Sequence, residues 1–188
     1  MEQLWTPWRH AYVTQEEQQT RPGVPPELAA WPGDHHCVFC NLLAAADYAI
    51  ANGTDREKAE QAANILLRAE HCFLCLNAFP YSTGHLMIIP YAHEASLARL
   101  PAVAAQELMA LAQRATRALE RAYRPDGINL GMNLGQAAGA GVADHLHLHI
   151  LPRWAGDTNF MTTVGGVRVL PEALSQSWQR LRQAFALV

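Results

Sequence analysis

Two spacings of apolar residues run through the chain and divide it into helices and strands. Over residues 101–123 the positions Leu108, Leu111, Ala115, Leu119 and Ala122 fall three or four apart, opposite Gln113, Arg117, Glu120 and Arg124. That spacing predicts one long amphipathic helix, stopped by Pro125-Asp126-Gly127. Leu174, Trp178, Leu181 and Phe185 repeat it after Pro171 and predict a final helix. Shorter helical segments are expected at 42–48, ended by Asn52-Gly53, and at 56–63. Strands are expected from 64–67 and over 71–77, 85–89 (closed by Pro90), 128–134 and 146–151. The turn at 79–84 makes the second and third of these a hairpin, and a Gly/Ala loop joins the last two. There are no internal repeats. The sum predicts one α+β domain over residues 36–188, an antiparallel sheet of about five strands with helices packed on one side. Residues 1–35 fit neither period. They hold Trp5, Trp8 and Trp31 among Pro7, Pro22, Pro25, Pro26 and Pro32, and read as an irregular arm, packed on its own domain or reaching a partner subunit.

The alternation is sharpest at Asp144-His145-Leu146-His147-Leu148-His149-Ile150-Leu151. On a strand, His145, His147 and His149 leave from one face and the aliphatic residues from the other. The aliphatic face reads as core, and three imidazoles on the opposite face point to something bound there. The stretch is preceded by Gly135-Gln136-Ala137-Ala138-Gly139-Ala140-Gly141, whose glycines let backbone N–H groups approach a phosphate with no Cβ in the way.

Composition narrows the classes. Half of the 188 residues are hydrophobic and 16% are charged, as in a globular domain. A net charge of -3 without a basic cluster offers nucleic acid no general attraction. No run of about 20 apolar residues is present to span a bilayer, and the N-terminus lacks a signal pattern. A cytoplasmic protein is expected, with its four cysteines as metal ligands or core residues and not as disulfides.

The triad stretch resembles the signature of the histidine triad superfamily of nucleotide hydrolases and transferases. Asn77-Ala-Phe-Pro-Tyr-Ser-Thr-Gly-His-Leu-Met-Ile-Ile-Pro90 is similar to that family's other nucleotide-binding stretch. Leu4-Trp5-Thr-Pro7-Trp8-Arg9 and the tail Pro152-Arg153-Trp154-Ala-Gly-Asp157-Thr-Asn159-Phe160 resemble the branch containing bacterial diadenosine tetraphosphate phosphorylases. The resemblance implies adenine nucleotides and inorganic phosphate as partners. It implies His147 as the nucleophile of a nucleotidylated-histidine intermediate, with His149 and His85 beside the same phosphate; a purely structural His85 is the other reading. Asn77 matches the family's ribose contact or serves as a turn asparagine before Pro80. Asn133 and Trp154 match positions that bind phosphate and shape specificity, and Gln136, Gly139 and Gly141 belong to the phosphate loop. Adenine is expected among apolar side chains such as Phe39, Leu42 and Leu76. Where some phosphorylases carry Gly-Ser the chain has Ala140-Gly141, which removes a hydroxyl able to hold phosphate. Where related hydrolases carry Gln and then Ser or Thr it has Gly141-Val142, which argues against that branch. A homodimer is also implied, for which apolar surface on the 101–123 helix would be suited.

Two Cys-x-x-Cys pairs raise a four-cysteine zinc site. The second pair, Cys72 and Cys75, runs into a strand, where the odd spacing sends the thiols to opposite faces. The better quartet is Cys37, Cys40, His93 and His145, similar to the ligand set of zinc-bearing members of the superfamily; four protein ligands make a structural site. Incidental cysteines at an apo site are the alternative. The sequence leads to cleavage of a dinucleoside polyphosphate, with phosphate as acceptor and ADP and ATP as products. Water or another nucleotide as acceptor, and a zinc-stabilised binding module without turnover, are carried beside it.

Overall fold

The computed structural model describes residues 21–158 and 171–188; Trp5, Trp8, Asn159 and Phe160 lie outside them. Five strands form one antiparallel sheet in the order β1-β2-β3-β5-β4: β1 (Ile65–Arg68), β2 (Cys72–Leu76), β3 (Leu86–Pro90), β4 (Gly127–Gly131) and β5 (Leu148–Arg153). Among the described residues four α-helices accompany it: α1 (Val38–Ala51), α2 (Arg56–Ala62), α3 (Ala102–Tyr123) and α4 (Leu174–Phe185). The α+β class and the β2–β3 hairpin are those expected from the sequence.

Period two sorts the sheet's side chains into two cores. Cys72, Leu74, Leu76, Leu86, Ile88, Leu148 and Ile150 pack with α3 and α4. Phe73, Cys75, Met87 and Ile89 pack on the other side with Phe39, Ala45 and Ala46 of α1 and Ala59 of α2. The expected one-sided packing therefore describes α3 and α4, while α1 and α2 cover the opposite face. The short helices carry small buried residues (Ala45, Ala46, Ala59 and Ala63) that let them lie close to the sheet, a signal that apolar spacing alone did not assign to a face. Cys72 and Cys75 fall into different cores, as the strand argument required.

β5 begins and ends two residues later than expected. Ile88 pairs with Leu148 and the β3–β5 ladder goes no further toward Pro90, which has no N–H to give. The Leu146 N–H instead donates to Glu94 O at 2.7 Å. At its other end β5 continues to Arg153 because β4 pairs with it from Gly131↔His149 to Gly127↔Arg153. The two outer strands are finished differently. Trp178 Nε1 donates to Ile65 O at 2.8 Å and Arg182 Nη1 to Leu66 O, so α4 covers β1. β4 is largely exposed, with Leu130 at 47%. No helix among the described residues is long and apolar enough to cross a membrane.

Candidate active site and metal centre

The histidine face is the face that α1 covers. His149 stands opposite Met87 in the β3–β5 ladder, and Met87 belongs to the core containing Phe39. The Phe39 ring lies 5.0 Å from that of His147 and 5.5 Å from that of His145. His85, His145, His147 and His149 are all buried.

Backbone carbonyls fix the protonation of the His147 and His145 rings. His147 Nδ1 is 2.9 Å from His145 O, and a carbonyl only accepts, so Nδ1 carries the proton and Nε2 keeps its lone pair. Burial lowers the His147 pKa, against the opposing effect of that hydrogen bond, so the neutral ring is favoured. His145 Nε2 lies 2.9 Å from Pro90 O and donates to it. Its Nδ1 lone pair therefore faces the thiols, 3.3 Å from Cys37 Sγ and 3.6 Å from Cys40 Sγ. Burial pushes the His145 pKa down to about 4. His85 Nε2 is 2.9 Å from His149 Nδ1, and the His147 and His149 rings stand 4.7 Å apart, edge-on.

Asn77 sits beside His85: its Nδ2 is 3.3 Å from His85 Nδ1 and its Oδ1 accepts from the Phe79 N–H at 2.9 Å. Gly84 precedes His85 with φ +76°, and a Cβ there would come within 2.8 Å of the Tyr123 ring, so only glycine lets the turn pass α3 at this point. The loop before the triad makes a 3-10 turn at Gln136–Ala138 between Gly135 and Gly139, both with positive φ. Gln136, Gly139 and Gly141 are exposed and Asn133 half-buried, while Val142 packs into the Phe39 core and brings the loop back to the histidine face. Trp154 is not gathered with the triad. It follows Arg153 at the far end of β5, roughly 16 Å of strand from His149, with its ring edge-on to Tyr123. Its turn is held by Arg153, which donates twice to the Asp157 carboxylate at 2.7 Å. Leu76 packs in the α3 core on the opposite face, which removes it from the expected adenine pocket. The Tyr81 N–H, which donates to His85 Nδ1 at 3.1 Å, was not singled out in the sequence; the signal for it was Asn77-Ala-Phe-Pro, whose asparagine two residues before Phe79 builds a turn of its own.

Cys37, Cys40, His93 and His145 bring one ligand atom each within 4.8 Å of one another. Cys37 is the N-cap of α1 and Cys40 lies in its first turn, so the three-residue spacing sets both thiols on one side. The helix thus starts inside the Cys-x-x-Cys pair, earlier than expected. His93 Nδ1 is 3.4 Å from Cys40 Sγ, and His93 is exposed, which gives an ion a way in. Without a cation the Cys40 thiol is pushed up to about 11 by burial and then by Cys37. Two thiols and two imidazoles, one with its tautomer set by a carbonyl, are a donor set suited to a metal ion.

A buried imidazole with its lone pair held ready, next to a glycine-rich loop on an open α+β sheet, defines a protein of nucleotidyl or phosphoryl transfer. Residues 58–156 match the HIT domain model, and the chain belongs to the HIT domain family. It is similar to the AP-4-A phosphorylase of Mycobacterium tuberculosis, 32% identical over 186 residues, which covers 99% of this chain and 85% of that protein. It is also similar to an adenylylsulfatase of Arabidopsis thaliana, 29% identical over 65% of this chain and 57% of the relative. Among solved structures, a Zn-bound histidine triad family protein from Mycobacterium smegmatis superposes with a TM-score of 0.59 and 27% identity over 80% of this chain and 94% of that one.

Proposed function

We propose that the chain is a dinucleoside polyphosphate phosphorylase that acts on diadenosine tetraphosphate through nucleotidylated His147. The observation that carries this is the His147 Nδ1–H bond to the His145 carbonyl, which leaves Nε2 as the attacking atom. Nε2 attacks the phosphorus nearest one adenosine. The N–P bond forms, the P–O bond breaks, and ATP leaves with the bonding electrons. An oxygen of inorganic phosphate then attacks the same phosphorus, releases ADP and returns the imidazole. His149 donates a hydrogen bond to an oxygen that gains charge, with His85 behind it. The Gly135–Gly141 loop supplies backbone N–H groups to the phosphates, with Asn133 and Gln136 at its start. The M. tuberculosis relative supports both the substrate and the acceptor.

Zinc suits the Cys37, Cys40, His93 and His145 donor set, and the M. smegmatis structure supports it. Four protein ligands leave no open position, so the ion would hold α1 and the triad strand together and would not activate water. A homodimer is part of the same reading. β4 is an edge strand of the sheet formed by the described residues. Leu130, Leu134, Leu97, Val103 and Met109 are exposed on β4, the loops beyond it and α3, and a second copy would cover them. Trp154, far from its own triad, would then belong to the specificity of the assembled dimer.

Incubation with diadenosine tetraphosphate, with and without inorganic phosphate, tests the function. ADP plus ATP formed only with phosphate is the expected result. AMP plus ATP without phosphate would make water the acceptor, the second reading, which the adenylylsulfatase relative favours.

A further inference from the structure

The hydrogen bonds around Asn77 assign both ends of its amide. The Phe79 N–H donates to Oδ1 at 2.9 Å, so that end accepts. The end facing His85 Nδ1 at 3.3 Å is therefore the NH2 group, which only donates. The Tyr81 N–H donates to the same ring nitrogen at 3.1 Å. With two donors aimed at Nδ1, the single proton of neutral His85 is on Nε2. That nitrogen is 2.9 Å from His149 Nδ1, which must then accept, and the proton of neutral His149 is on its Nε2.

We propose that Asn77 is a positioning residue: with the Tyr81 amide it fixes, through His85, the tautomer in which His149 presents an N–H to the phosphate chain. This rests on the reading that His149 donates to a substrate oxygen, and it gives Asn77 a task apart from the ribose contact that the sequence implied. The chemistry is hydrogen-bond donation with no proton lost. A neutral imidazole that gave up its Nε2 proton would become an anion, so His149 holds it and stabilises the oxygen on which charge builds as the N–P bond forms and the P–O bond breaks. Were His85 protonated on Nδ1 and bare at Nε2, His149 would need its proton on Nδ1. Its Nε2 lone pair would then oppose a phosphate oxygen. The amide nitrogen of Asn77, eight residues before His85, and the Tyr81 N–H together select between a donor and an acceptor at the reacting centre.

His85 is fully buried. His147 stands edge-on at 4.7 Å from His149, and the Tyr81 ring lies 4.7 Å from His85 and 5.9 Å from His149. The turn that holds Asn77 is closed from both ends: the Asn77 N–H donates to His85 O and the His85 N–H to Ser82 O. The amide is thus carried on a hydrogen-bonded frame and not on a loose loop.

Asn77→Asp is the test, because it keeps an oxygen for the Phe79 N–H and replaces only the side-chain donor that faces His85, leaving the Tyr81 N–H in place. Imidazole 15N spectra of the wild-type protein are expected to show His85 and His149 neutral with protons on Nε2. In Asn77→Asp the His85 proton moves onto Nδ1, and kcat for phosphate-dependent cleavage falls roughly 10-fold or more while KM changes by less than about threefold. Asn77→Ser, which can still cap the turn, gives a smaller loss of kcat and guards against a folding defect in the aspartate variant. A rise in KM at constant kcat, with the His85 and His149 signals unmoved, would make Asn77 a ribose contact only and overturn the proposal. If the wild-type protein cleaves no dinucleotide, the proposed function falls, while the spectra still decide the relay: signals shifted by Asn77→Asp uphold it and unshifted ones remove it.

Discussion

His147 and His145 are buried bases whose pKa values lie below the ordinary 6.5, lowered chiefly by desolvation, with His145 at about 4. In metal-free protein they take up protons less readily folded than unfolded. The stability that follows from this is complete above pH 6.5 and declines as the pH falls from there toward 4, because the unfolded chain binds the extra protons. Urea midpoints of the chelated protein across that range should fall with pH; a flat profile would contradict the burial. At the same scale, His147→Asn is expected to abolish turnover and to retain nucleotide binding by calorimetry, since it removes the nitrogen proposed to attack and little volume. These residues were readable in the sequence because alternation and spacing mark faces. The partners of their second nitrogens were not, because Pro90 O, His145 O and the Tyr81 N–H are backbone groups, and side-chain pattern says nothing about where those point.

Among the elements, α4 illustrates a contact that periodicity half disclosed. The spacing of Trp178, Leu181 and Phe185 identified its buried face, whereas the target of the indole N–H, the Ile65 carbonyl, depends on tertiary position. Trp178→Phe keeps most of the apolar bulk and leaves that buried carbonyl without its donor, at a cost of about 1–3 kcal/mol, measurable by urea unfolding. Glu107 on α3 does similar work beyond the other end of β1, in the β1–β2 turn, where its carboxylate accepts the N–H groups of Glu70, His71 and Cys72. β5 lies two residues beyond its expected limits for the same kind of reason: an alternating pattern shows which residues are extended, and the pairing partner decides where a ladder starts and stops. α1 starts earlier than its apolar spacing suggests because a Cys-x-x-Cys pair carries no helical periodicity of its own. The geometry of its first turn is nonetheless what brings both thiols to one side.

For the whole molecule, the Cys37, Cys40, His93 and His145 cluster joins α1 to the segment leading into β5. Cys37→Ala should lower bound zinc, measured by elemental mass spectrometry, and lower the melting temperature of the zinc-loaded protein. Equal metal content in variant and wild type would remove Cys37 from the ligand set. Leu130→Lys places a charge on the exposed outer strand and should shift the mass in solution from two chains to one by light scattering; an unchanged mass would exclude β4 from the interface. The fold class could be read from the order of the periodic segments. Coverage of both sheet faces could not, since nothing local in α1 or α2 says which side of a distant sheet it will meet. The unequal finish of the two outer strands also sets how far assembly can run. Among the described residues the sheet is open along β4 and capped along β1, so in the proposed dimer it would join one neighbour and then stop, a closed pair. Deleting α4 would bare the Ile65 and Leu66 carbonyls and give each molecule two adhesive borders, turning a self-limiting complex into one able to grow into filaments.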